Sequence, residues 1–72
     1  MKAAELEAVI EARVGRGRWF VASELLPADL LGRNQHPRNT LISRGVLERR
    51  ELGPDDPRRS VTSTRFEYRL VS

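Results

Sequence analysis

Residues 22–52 read ASELLPADLLGRNQHPRNTLISRGVLERREL, and the order of patterns within them decides the fold. Ser23 has the hydroxyl of an N-cap, able to accept from a backbone N–H two or three residues on. A helix is therefore expected over 24–31, with Leu25, Leu26, Leu30 and Leu31 as its apolar side. Pro27 lies at the edge of the first turn, where a missing N–H costs no intrahelical bond, so that turn is expected to be distorted or 3₁₀-like. Gly32 ends the helix. Asn34 is the next expected cap, Pro37 falls in the following first turn, and a second short helix is expected over 35–44, stopping at Gly45. A strand pattern then occupies 46–52.

The flanking residues supply support for this core stretch. Over 3–14, Leu6, Val9, Ile10 and Val14 recur at three- and four-residue spacing, with Glu5, Glu7 and Glu11 on the other faces, which predicts an amphipathic helix closed by Gly15. Gly15-Arg16-Gly17-Arg18 reads as a turn, either a plain helix stop or a flexible basic phosphate contact. Trp19-Phe20-Val21 is a short β-type run that needs a partner strand. Alternation groups Trp19 with Val21, and Trp19 is read as core or core edge, or else as a part-exposed anchor for a partner. Over 60–71, Phe66, Tyr68 and Leu70 alternate with Arg65, Glu67 and Arg69, the period of a strand with one buried face. The stretch 53–59, GPDDPRR, is dense in turn formers and reads as a hairpin tip. The expected fold class is α+β: one domain over 1–72, with three helices and a small antiparallel β-sheet.

Composition narrows the function. The 72 residues contain no cysteine and one histidine, His36, which speaks against disulfides, thiolate metal sites and a His-based metal centre. No apolar run approaches a bilayer span, and the first residues carry acids where a secretory signal would be apolar. A cytoplasmic, nucleoid-associated protein with no cofactor is expected. The net charge is +3, and every basic residue except Lys2 is arginine, a planar fork of donors suited to phosphates and base edges. Catalysis is not expected. There is no glycine-rich phosphate loop, and Asp55 and Asp56, though a carboxylate pair, sit on a hairpin tip rather than in an enclosed site.

Ala22-Ser23-Glu24-Leu25, then Ser43-Arg44-Gly45-Val46-Leu47-Glu48-Arg49-Arg50, and finally Tyr68-Arg69-Leu70 resemble the winged helix-turn-helix superfamily of small bacterial, archaeal and phage regulators, such as the MarR and ArsR types. The resemblance runs over nearly the whole chain. It implies that the third helix enters the major groove of double-stranded DNA and that the hairpin is a wing touching the backbone or minor groove. The interval from Ala22 to Gly45 is a little short for the pattern. No small-molecule effector is expected, and a homodimer or a protein partner is a further possibility implied by the small contact surface.

A helical wheel with Leu41 as the buried reference puts Pro37 and Arg44 on its side and Gln35, His36, Asn39 and Ser43 opposite. Asn and Gln can pair with adenine through two hydrogen bonds. Arg33 and Arg38 are placed to meet phosphates near the start of the third helix, and Arg58 and Arg59 to do so from the wing. The same polar face is also what any solvated helix presents, and His36 also reads as a plain polar residue near the helix start. The competing function is a winged helix used for protein–protein interaction, for which the acidic tip and Trp19-Phe20 argue. A positive surface running from the third helix to Arg58 and Arg59 favours DNA. Basic residues neutralised by Glu48, Glu51 and Glu67 favour a protein partner.

Overall fold

The computed structural model describes residues 1–59 and 65–71. Helix α1 spans Ala3–Val14, α2 spans Leu30–Arg33 and α3 spans Gln35–Ser43; strands β1 (Leu47–Glu51) and β2 (Phe66–Leu70) pair antiparallel. The protein is thus α+β, with three helices packed on one face of a hairpin. The part of the expected second strand over 60–64 lies outside the described residues.

Helix α1 follows its periodicity. Leu6 and Ile10 are fully buried, Val9 and Val14 pack at the margin, and Gly15 leaves the helix at φ +83°. The next segment returns along β2. Gly17 N–H donates to the Leu70 carbonyl at 2.8 Å, and Phe20 and Tyr68 exchange both backbone bonds at 2.8 Å. The expected third strand is therefore present as a single bridge, Phe20 to Tyr68, on the edge of β2 away from β1.

The expected helix over 24–31 is corrected. The chain makes a 3₁₀ turn over Ala22–Glu24, becomes extended at Leu25 (φ −91°, ψ 155°), passes the cis peptide Leu26-Pro27, and becomes helical only at Leu30. A residue before proline is sterically pushed out of the helical region, so Leu26 and Pro27 divide the segment where a first-turn distortion was expected. Ser23 makes no cap; instead the Glu24 carboxylate accepts from Val21 N–H at 2.8 Å. Leu25, Leu30 and Leu31 still reach the core, whereas Leu26 is 67% exposed.

Gly32 lies inside α2 rather than after it. Asn34 joins α2 to α3, but its side chain serves the helix behind it, Nδ2 donating to the Leu30 carbonyl at 2.8 Å. The far end of α3 closes as expected. Gly45 N–H donates to Ile42 and Val46 N–H to Leu41, with Gly45 at φ +74°, the paired reverse bonds of a Schellman stop. That turn feeds β1 directly into the core, where Leu41 and Leu47 are buried together.

In the hairpin, Leu47 faces Leu70, Glu48 faces Arg69, Arg49 faces Tyr68, Arg50 faces Glu67 and Glu51 faces Phe66. Opposed residues share a face, so Leu47, Leu70 and Tyr68 point to the helices while Glu48, Arg69, Arg50 and Glu67 form the outer face. The core joins Leu6 and Ile10 of α1, Phe20, Leu25, Leu30 and Leu31, Leu41 of α3, and the inner face of the hairpin. Among the described residues, no helix is long and apolar enough to cross a membrane.

Candidate nucleic-acid interface

Helix α3 turns Leu41 inward against α1 and β1, and this orientation fixes what it shows to solvent. Gln35, His36, Asn39 and Ser43 are all exposed, as the wheel expects. The side chains of Gln35, His36 and Ser43 make no hydrogen bond among the described residues, so their donors and acceptors are open. Thr40 is not open: its hydroxyl donates back to the His36 carbonyl at 3.0 Å. Arg44 departs from the wheel. It is exposed because it is the capping residue, where the helical path has already ended.

The arginines around α3 differ in their freedom. Arg33 is exposed and pairs with Asp29 one turn earlier at 2.9 Å. Arg38 is half-buried; its only side-chain bond is a long one, 3.4 Å from Nε to the Asn39 side-chain oxygen, and it has no carboxylate partner among the described residues. Arg38 forms one wall of an open groove of about 430 Å³ whose other walls include Ala22, Ala28, Leu31, Gly32 and Tyr68.

Four arginines of the hairpin, Arg50, Arg58, Arg59 and Arg69, are paired with carboxylates. Arg58 donates to both oxygens of Asp56, at 3.1 and 2.9 Å, and to Glu67 at 2.8 Å. These bonds raise the Arg58 pKa above its ordinary value and hold the Asp56 carboxyl below the usual aspartate range, the Arg58 side chain being the larger cause and its backbone N–H the second. Arg59 donates to the Leu52 carbonyl at 2.7 Å and lies 3.5 Å from Glu51. Arg50 pairs with Glu67, and Arg69 donates to Glu48 at 2.9 Å. Arg58 and Arg59, expected to reach outward to phosphate, are therefore turned back onto the hairpin, and Glu48, Glu51 and Glu67 each hold an arginine.

Alternation groups Trp19 with Val21, opposite Phe20, with Trp19 as core, core edge or a part-exposed anchor. The structure buries Phe20, with Val21 beside it, and leaves Trp19 half-exposed on the outer face. The reason is the bridge to Tyr68, which faces Phe20 inward, its ring 6.0 Å from that of Tyr68. The Trp19 ring carries the guanidinium of Arg50 at 3.9 Å and that of Arg69 at 4.7 Å. This cluster of Trp19, Arg50, Arg69, Glu48 and Glu67 was missed from sequence, although the facing of 48 with 69 and 50 with 67 follows from the strand register once the hairpin tip is fixed. The basic turn after α1 is likewise internal: Arg16 pairs with Glu7 and Glu11 and donates to the Val71 carbonyl at 3.1 Å, and Arg18 pairs with Glu24 at 2.6 Å. No protein family, curated protein or solved structure matches this chain.

Proposed function

We propose that the protein is a winged helix that binds double-stranded DNA through α3, as a small transcriptional regulator or architectural factor. The observation that carries the reading is the open polar face of α3. Gln35, His36, Asn39 and Ser43 stand exposed side by side, flanked by Arg38 and Arg44, which lack carboxylate partners among the described residues. Such a face offers hydrogen bonds to base edges, and its flanking cations offer charge to the phosphates. Arg33 adds to it on exchanging Asp29 for a phosphate. In this reading Arg58 and Arg59, held by Glu67 and Glu51, likewise contribute only on exchanging those carboxylates for phosphate.

Titration of mixed-sequence duplex DNA at two salt concentrations tests it. Affinity is expected to fall as salt rises, and replacing Arg38 and Asn39 by alanine is expected to weaken binding by roughly 10-fold or more. Undetectable binding at low salt, or affinity indifferent to salt, overturns the reading. A second reading, a protein-interaction module, is favoured by the paired arginines of the hairpin and by Trp19 with its stacked arginines, since tryptophan and arginine dominate interaction hot spots. It predicts a partner complex that survives the Arg38 and Asn39 replacements.

A further inference from the structure

Among the described residues, strand β1 has one edge without a partner strand. The sheet order is β1-β2, with Phe20 bridging to the opposite edge of β2. Val71 N–H donates to the Val46 carbonyl and Leu52 N–H to the Arg65 carbonyl, so the even-numbered residues of this strand turn their backbone groups to β2. By alternation, the N–H and C=O groups of Leu47, Arg49 and Glu51 point away from β2, and no strand among the described residues covers them.

We propose that this edge pairs with the same edge of a second copy of the chain, antiparallel, about a two-fold axis through Arg49 perpendicular to the sheet. An edge strand normally carries charge to repel a second strand. Here the charges are ordered so that they match. In this register Glu48 faces Arg50 of the second copy and Arg50 faces its Glu48, on the outer face of the sheet. Within one copy, Arg50 already faces Glu67 and Glu48 faces Arg69. The joined sheet therefore carries two rows of strictly alternating sign, Glu67, Arg50, Glu48, Arg69 and its mirror, across four strands. Opposite charges directly across a strand pair stabilise it. On the inner face Leu47 meets Glu51 of the second copy, and the two Arg49 residues meet at the axis. Each Arg49 guanidinium lies over its own Phe66, 4.8 Å from the ring centre, drawn toward β2 and away from the axis. An axis perpendicular to the sheet keeps both helical layers on one side, so the association stands whether or not α3 binds DNA.

The test uses the full chain without DNA. Sedimentation across protein concentrations up to about 1 mM is expected to show a reversible monomer–dimer equilibrium, as befits a small interface. The amides of Arg49 and Glu51 are expected to gain protection from hydrogen exchange as the dimer forms, while that of Arg50, bonded within the hairpin, is protected throughout. Arg49→Pro removes an N–H that points away from β2, which the hairpin tolerates, and is expected to raise the dimer Kd by roughly 10-fold or more. A chain that stays monomeric, a dimer that forms without protecting those two amides, or a folded Arg49→Pro chain that dimerises as well as the parent overturns the proposal. The exchange measurement on the parent chain decides the matter even if the proline variant does not fold.

Discussion

The Glu67 carboxylate holds Arg58 at 2.8 Å, tying the hairpin tip to the middle of its returning strand. Glu67 is 4% exposed although it faces away from the helices, because Arg50 and Arg58 cover it. A buried carboxylate is tolerated only when its charge is met, and here two guanidinium groups meet it.

Glu67→Gln removes that charge while keeping the shape. Arg50 and Arg58 can each turn to water, so the loss is moderated by screening and amounts to about 1 kcal/mol. For a domain of this size this lowers Tm by about 4–8 °C. A thermal melt followed by circular dichroism checks it, and no change in Tm would show that the pairing adds nothing to the fold.

The tip also responds to acid. Asp56 accepts from the side chain of Arg58 and from its backbone N–H at 2.8 Å, and its carboxyl is held below the ordinary aspartate value of 3.8 by that contact. A group whose pKa is lowered on folding adds stability above its unfolded value and loses it as pH falls through the folded one. Protection of the Arg58 amide is therefore expected to hold at neutral pH and to decline only below about 3.8, which NMR exchange reads directly. In Asp56→Asn the decline disappears, because the amide oxygen still accepts from Arg58 N–H but no longer titrates.

Phe20 and Trp19 are neighbours with opposite fates. Phe20→Ala empties a fully buried site and is expected to cost about 3–5 kcal/mol, enough to unfold much of a 72-residue domain. Trp19→Ala gives up two stacked guanidinium contacts on a half-exposed face, about 1–2 kcal/mol. Urea unfolding of the two variants ranks them. Equal losses would mean that Trp19 is a core residue after all.

What sequence could and could not foretell divides along physical lines. Helix α1, the stop at Gly45 and the hairpin were legible because each is written locally, in a 3.6-residue stripe, a glycine after the last apolar position, or a two-residue alternation. The second helix was misjudged because four leucines over 25–31 satisfy a helical pattern whether or not the backbone can be helical at Leu26. Which of Trp19 and Phe20 turns inward was not legible, because alternation gives two faces without saying which is buried; the bridge of Phe20 to Tyr68, 48 residues on, decides it. The α3 face was legible as soon as Leu41 was taken as buried. The inward turn of Arg58 and Arg59 was not, since it depends on Glu67 and Leu52 meeting the tip in space.

Gly45 carries a backbone requirement rather than a packing one. At φ +74° it occupies the left-handed region, and a methyl group placed there meets nothing within 4 Å. Gly45→Ala is thus expected to cost about 1 kcal/mol through conformation alone, while Asn at the same position costs less. Denaturant midpoints of the two variants check the order.

The interruption at Leu26-Pro27 leaves α3 with little from α2 to lean on. Its orientation comes instead from Leu41 set among Leu6, Ile10 and Leu47. In mechanical terms α3 is a cantilever clamped at α1 and β1, with the exposed turn over 26–29 hanging beside it. That turn is a natural place for a changed or grafted segment: between the buried anchors Leu25 and Leu30 its chemistry can vary while Leu41 keeps the direction of α3.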